Sequence, residues 1–281
     1  MSGFNNNFIL RRGSMKFADR INYSIDNIER SIVADTEVGT KYSVAEKKKL
    51  YREKEKLVNK FPALKKLLDI RTIHKFPIKG VENFGRIGFL PGKLVISDDR
   101  IKDMCRNQFW TTFLTTKKKG ANRFTRCPGL EKRSSCPYFT PPAKKIRETL
   151  DQADIFITLQ TKLFNELGPV QWEFQTINKL REEVESILGK KAVLQQFGAG
   201  PCQVCYPDPC LEMGKCRHPR KKAPALEAMG IPVGQLCRDM SLLTGDKAWE
   251  ITWIKHFSLP NMTPKKWKVV FGLAVKLPKK K

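Results

Sequence analysis

Cys202, Cys205, Cys210 and Cys216 form a C-x2-C-x4-C-x5-C array between Gly198-Ala199-Gly200-Pro201 and Arg217-His218-Pro219. Thiolates gathered this closely can ligate iron or zinc, and the two-residue gap is a standard chelate spacing. Glycine and proline let the backbone fold tightly around an inorganic core and aim N–H groups at sulfur. Four thiolates suffice for one complete 4Fe-4S cluster or one tetrahedral zinc. Zinc ribbons present two close pairs across a longer loop, and the third and fourth cysteines here are not paired that way. The irregular gaps favour an iron–sulfur cluster, with zinc as the alternative. Arg217 and Lys221 would offset the negative charge of a thiolate-ligated centre.

Cys105, Cys127 and Cys136 make a second group, in which proline follows Cys127 and Cys136 and stiffens each turn. Three cysteines could hold a second cluster with one iron open to substrate as a Lewis acid. Alternatively one group supplies ligands to the other, or these three are structural. His218 reads as a residue that packs or bonds backbone rather than as a ligand. Cys237, among Leu236, Met240 and Leu243, reads as a small buried hydrophobe.

Those residues need a scaffold. Ser43-Val44-Ala45-Glu46 is a capping box opening a helix, and Pro62 suits the first turn of a second one. That helical pair is expected to pack on the main domain. Leu94-Val95-Ile96 predicts a short strand, and Asp98-Asp99 behind it a turn. Thr140-Pro141-Pro142 predicts an N-cap and a helix with Ile146, Leu150 and Ala153 on one side. Ile155 to Leu159 suits a buried strand. Phe174, Ile177, Leu180, Val184, Ile187 and Leu188 fall at helical spacing, with Gly189 placed to end the helix. Ala192 to Phe197 predicts another strand, so strand, helix and strand suggest a βαβ crossover with parallel strands. The cysteine loop follows directly, where α/β sheets place ligands. Beyond it come a short helix from Pro224 to Met229 stopped by Gly230, a helix from Val233 to Leu243, and strands over Trp249–Phe257 and Trp267–Val275. The expected class is α/β: a βαβ-containing sheet with flanking helices, a cysteine-rich metal loop after a strand, and a helical or irregular N-terminal extension. Residues 1–90 would be the basic extension, 91–276 the metal-binding domain and 277–281 a basic tail.

The chain has 281 residues, enough for a core that needs no staples. No apolar run approaches a membrane span, and three asparagines occupy the place where a signal peptide needs an apolar core. A cytoplasmic protein is expected. In a reducing compartment, eight cysteines argue for metal or chemistry rather than disulfides. Phosphate-loop, HExxH and GxSxG signatures are missing, and the Gly198-Ala199-Gly200 run leads into a cysteine rather than a dinucleotide-binding helix. Lysine and arginine number 53 against 28 acids, a net charge of +25, with clusters at Lys47–Lys49, Lys117–Lys119, Arg220–Lys222 and Lys279–Lys281. Such a field suits an acidic redox partner. Nucleic acid is the other polyanion it could attract, but no aromatic-interleaved recognition motif accompanies the charge.

The run from Gly198 to Cys202, with Cys205, Cys210 and Cys216-Arg217-His218-Pro219, resembles the signature of a cysteine-rich family of predicted metal-binding proteins. That family has no assigned function and occurs mainly in anaerobic bacteria and archaea. Arg220-Lys221, Pro224, Glu227-Ala228 and Gly230-Ile231 extend the likeness. Upstream, Cys127-Pro128, Ser135-Cys136-Pro137 and Asp99-Arg100 leading to Cys105 resemble its earlier cysteines. The span is Leu94 to Leu243. It departs from the pattern in a lysine-rich insertion between Cys105 and Cys127, and in Tyr138 where a second proline is common. The resemblance implies metal binding with iron–sulfur chemistry, and no known reaction.

Overall fold

The computed structural model describes residues 41–69, 85–102, 109–111, 124–126, 135–162, 170–199, 202, 204–205, 215–250 and 268–279. The expected arm over 1–40, the Lys117–Lys119 cluster, Cys105, Cys127 and Cys210 lie outside them.

Five α-helices are described: α1 (Val44–Val58), α2 (Pro62–Leu68), α3 (Ala143–Gln152), α4 (Val170–Leu188) and α5 (Val233–Thr244). The strands are β1 (Gly85–Pro91), β2 (Phe109–Thr111), β3 (Phe124–Arg126), β4 (Ile155–Lys162), β5 (Val193–Phe197) and β6 (Lys268–Val275). β2 and β3 pair only with each other, and the other four form a sheet in the order β1-β4-β6-β5. Every neighbouring pair in that sheet is antiparallel, with Ile157 opposite both Phe89 and Leu273. The fold is α/β.

β4 and β5 both run antiparallel to β6 and hence parallel to each other. The crossover through α4 is therefore present but split, because β6 lies between its two strands. β6 has the reason in its sequence. Val270, Phe271, Leu273, Ala274 and Val275 are all buried, so both faces of the strand need covering. Helical layers on the two sides supply that cover, and an interior position pairs both backbone edges of so apolar a strand, where a sheet edge would leave one open.

Alternation along the strands builds one core on each face. Ile155, Ile157, Leu159, Phe271, Leu273 and Val275 pack with Val58, Leu64, Leu67 and the α4 stripe Ile177, Leu180, Val184 and Leu188. Phe156, Phe197, Val270 and Ala274 face the other way, against Ile146 and Leu150 of α3 and Leu236, Cys237 and Met240 of α5. The α1–α2 pair thus packs on the sheet, as expected, with Tyr51 stacked on Phe89 at 5.0 Å. Ser43 and Glu46 form the reciprocal capping box, and Pro62 opens α2. Gly189 and Gly230, both at positive φ, stand where α4 and the turn over Glu227–Met229 end.

Three local expectations are corrected. Leu94-Val95-Ile96 is not a strand. The strand ends earlier, at Pro91 opposite Ile155, and Gly92–Leu94 is a 3-10 turn whose Leu94 and Val95 are buried without sheet pairing. Lys247–Trp249, at the start of the strand expected over Trp249–Phe257, is also a 3-10 turn. Asp246 caps it by accepting the Ala248 N–H at 2.9 Å; residues 251–257 lie outside the described residues. Thr140 does not cap α3, whose N-cap is Pro142. Its hydroxyl is taken up elsewhere, with consequences for the cysteine region.

Candidate metal centre

The cysteine loop leaves the sheet at the carboxyl end of β5, and backbone bonds close it at its neck. The Gly198 N–H donates to the Pro224 carbonyl at 2.7 Å, and the Leu226 N–H donates to the Gly198 carbonyl at 3.1 Å. Gly198 and Ala225 form a parallel bridge there. A Cβ on Gly198 would lie 2.7 Å from the Ala223 carbonyl oxygen, so the neck closes this tightly only on glycine. Side chains fasten the returning arm: Arg181 of α4 donates to the Arg220 carbonyl, and the buried Gln196 donates its amide to the Lys221 carbonyl. Both ends of the four-cysteine segment are therefore fixed to the sheet and to α4.

Cys202 sits at the base of this loop. It is buried in the α1–α2–α4 core alongside Ala223, with Ala199 and Val204 packed against the same cluster. Cys205 and Cys216 are half-buried, and Arg217, His218, Arg220 and Lys221 are exposed. Cys136, Cys202, Cys205, Cys216 and Cys237 are all reduced thiols. His218 contributes its carbonyl to a turn, accepting the Lys221 N–H at 2.9 Å.

A second wall comes from the segment carrying Cys136. The Cys202 N–H donates to the Ser135 hydroxyl oxygen at 3.1 Å. That contact holds the Cα atoms of Cys136 and Cys202 within about 11 Å of each other, from standard backbone dimensions. Both cysteines are 6% exposed. Three further contacts join the Cys136 turn and residues 97–98 to residues 228–230. The Thr140 hydroxyl donates to the Ala228 carbonyl at 2.7 Å, Ser97 donates to the Met229 carbonyl at 2.8 Å, and the Asp98 N–H donates to the Gly230 carbonyl at 2.9 Å. The ammonium of Lys102, almost wholly buried, donates to the Pro141 carbonyl at 2.7 Å. Residues 97–102, 135–141 and 226–231, far apart in sequence, are thus stitched into one body beside the cysteine loop.

Asp98 behaves as the turn residue expected, its carboxylate accepting the Arg100 N–H at 2.8 Å. Hydrogen bonds from the Arg100 side chain outweigh its partial burial and hold its carboxyl below the usual aspartate range. Cys237 lies on the opposite face of the sheet, fully buried in the second core, with the Gln160 amide 3.6 Å from its sulfur.

Among the described residues, no three His, Cys, Asp or Glu side chains are grouped closely enough to hold a metal ion. Cys210 and Cys127, which sequence spacing places in the two ligand groups, are outside that set, as is Cys105. What the structure does bring together is Ser135, the residue before Cys136, and the backbone of Cys202. The chemistry of the donor set suits a thiophilic metal: reduced thiols on a closed loop, in a basic setting.

Residues 116–253 match the model of a family described as predicted metal-binding protein (DUF2284). The likeness expected from the cysteine pattern is borne out over that span. The DUF2284 match takes in Cys127, Cys136, Cys202, Cys205, Cys210 and Cys216, and begins after Cys105. No curated protein and no solved structure matches the chain. Among the described residues, no helix is long and apolar enough to cross a membrane.

Sequence reasoning passed over four residues that shape the DUF2284 region: Ser135 as acceptor for Cys202, Thr140 as clamp, Lys102 as buried cation and Arg181 as fastener of the loop. Ser135 was visible inside the Ser-Cys-Pro motif. The other three carry no local signal for these roles, because the partners named above lie 39 or more residues away.

Proposed function

We propose that this protein carries a 4Fe-4S cluster on Cys202, Cys205, Cys210 and Cys216, with a second site on Cys105, Cys127 and Cys136. The observation that carries the reading is the loop closed at Gly198, whose first cysteine is buried against the segment of Cys136. When bound, a cluster supplies one-electron transfer, or Lewis acidity at an iron left open by a three-cysteine set. The chain's own residues do the rest. The neck at Gly198 and the Arg181 and Gln196 contacts hold the loop ends together, which lowers the entropy lost when thiolates gather on a metal. Burial of Cys202 and Cys136 keeps water from their sulfurs.

The surrounding charge favours electron exchange with an acidic protein. Lys215, Arg217, Arg220 and Lys221 are exposed beside Cys216, and residues 215–222 contain no acid. A cationic rim of this kind steers an anionic partner toward the metal and makes their encounter salt-dependent. The proposed role is electron transfer or cluster-based substrate activation in an anaerobic metabolism.

Metal and acid-labile sulfide analysis, with electron paramagnetic resonance on anaerobically purified protein, tests this directly. Brown protein with matching iron and sulfide supports the cluster. Colourless protein with one zinc replaces it by the zinc alternative, and protein without any metal ends the reading.

A further inference from the structure

The end of the sheet opposite the cysteine loop carries a separate concentration of charge. There β5 begins and β6 finishes, about 17 Å along β5 from Gly198. The Lys276 N–H donates to the Ala192 carbonyl at 2.8 Å, which sets Lys276 beside the turn holding Lys190 and Lys191. Lys54 of α1 reaches the same end. Its ammonium lies 2.9 Å from one oxygen of Asp154, and the ammonium of Lys276 lies 3.3 Å from the other. Lys279 follows shortly after Lys276 and is exposed, as are Lys190 and Lys191. Five lysines from three segments thus share one aspartate, which also accepts the Leu277 N–H. Lys190, Lys191 and Lys279 have no ion-pair partner among the described residues. Residues 186–199 and 268–281 contain no acid.

Like charges held together without counterions repel, and an anion that bridges them removes the repulsion. The side chains present select among anions. Protein interfaces are anchored by aromatic residues and arginine and are depleted of lysine, and this set is all lysine. Docking on a membrane surface needs an apolar face beside the charge. Here Leu194, at 37%, is the one large apolar side chain exposed nearby among the described residues. A phosphate backbone needs neither anchor nor apolar face. It presents negative charge at short regular intervals, and lysine meets each as a mobile point charge.

We propose that Lys54, Lys190, Lys191, Lys276 and Lys279 form a sequence-independent binding face for the phosphate backbone of nucleic acid. Contact of this kind reads no bases, so it requires no aromatic recognition motif. The face needs no metal and is distinct from the cationic rim beside Cys216, so it stands independently of the metal reading.

Fluorescence anisotropy of the full-length protein with a short labelled DNA duplex of arbitrary sequence tests it. Wild-type affinity should fall steeply between about 50 and 200 mM salt, and equally for a duplex of scrambled sequence. The triple variant Lys190→Gln, Lys191→Gln, Lys279→Gln should flatten the log–log salt slope by about 0.9 per lysine and weaken binding at least about tenfold at low salt. Arginine at the same three positions should keep the wild-type slope. A charge-matched control on other faces, Lys48→Gln, Lys144→Gln, Lys145→Gln, should change it far less. Equal loss in both glutamine variants would mean that net charge alone attracts the duplex, and would overturn the face. So would wild-type protein that fails to bind the duplex at about 50 mM salt. Tighter binding to polyglutamate or to phosphatidylserine vesicles, lost in the same triple variant, would also overturn it and assign these lysines to an acidic protein or a membrane.

Discussion

The ammonium of Lys47 lies 2.6 Å from the carboxylate of Asp239, and the two side chains are 7% and 4% exposed. The pair ties α1 to α5, with Gln235 donating to the same carboxylate oxygen at 3.0 Å. α1 also contacts β1, so this contact anchors an N-terminal helix to the sheet-covering layer that holds Cys237. Removing one partner leaves a buried charge without its counterion, which costs about 3–5 kcal/mol. Lys47→Met or Asp239→Leu alone should lower unfolding stability by that order. The double variant should recover most of the loss, since two apolar side chains leave no charge behind. Urea unfolding of the four proteins in a cycle measures it, and additive losses would show that the pair is not coupled.

Gly198→Ala probes the neck of the cysteine loop. The new Cβ meets the Ala223 carbonyl oxygen at 2.7 Å, a backbone atom that cannot swing aside. Overpacking of this kind costs about 1–3 kcal/mol, and here the strain falls on the two bonds that close the loop. The variant should lose metal to a chelator markedly faster than wild type while the far-ultraviolet circular dichroism stays native. Equal rates of loss would show that loop closure does not govern metal retention.

Asp154 makes stability depend on pH. Burial pushes its carboxyl up, but hydrogen bonds from Lys54 and the Leu277 N–H, with the charges of Lys54 and Lys276, outweigh that effect. The net result is a carboxyl held below the usual aspartate range. A depressed folded-state value stabilises the protein above the unfolded aspartate value of about 4, and that stability is lost as pH falls through the folded value. Asp154→Asn should therefore be less stable than wild type near pH 6. The gap should narrow as the solution is acidified below about pH 4. Thermal melts of both proteins between those limits test the sign, and a gap that widens on acidification contradicts it.

The helices were legible because their signals are local: a capping box at Ser43, proline at the start of α2, and the Ile177–Leu188 stripe ended by Gly189. The strands β4 and β6 were legible from buried apolar runs, and β5, with Leu194 exposed and Gln196 buried, only as a short segment between Gly189 and Gly198. Their order was not, since the insertion of β6 between β4 and β5 depends on pairing across more than a hundred residues. Leu94-Val95 shows a second limit. An apolar pair states that it will be buried, but not whether a strand or a turn buries it. In the cysteine region the spacing of Cys202, Cys205, Cys210 and Cys216 suggested one loop, whereas nothing local placed Ser135 against Cys202. That contact joins residues 67 positions apart in the sequence, so the chain between them must fold back.

That proximity gives the two cysteine groups a sharp experimental separation. If Cys202 and Cys205 serve one cluster and Cys127 and Cys136 another, Cys202→Ser or Cys205→Ser should abolish most bound metal. Cys127→Ser or Cys136→Ser should then remove only the second centre. Burial alone could confuse the comparison, because Cys136 and Cys202 are equally enclosed and serine adds a polar group to each pocket. Cys237 supplies the control: it is more deeply buried than either and lies in the opposite core, so Cys237→Ala should retain full metal with some loss of stability. Iron and sulfide per chain, measured on all five variants alongside melting temperature, separate ligand loss from general destabilisation. Equal and total loss from Cys136→Ser and Cys202→Ser, with Cys237→Ala fully loaded, would mean that the Ser135–Cys202 contact joins both groups into a single shared site.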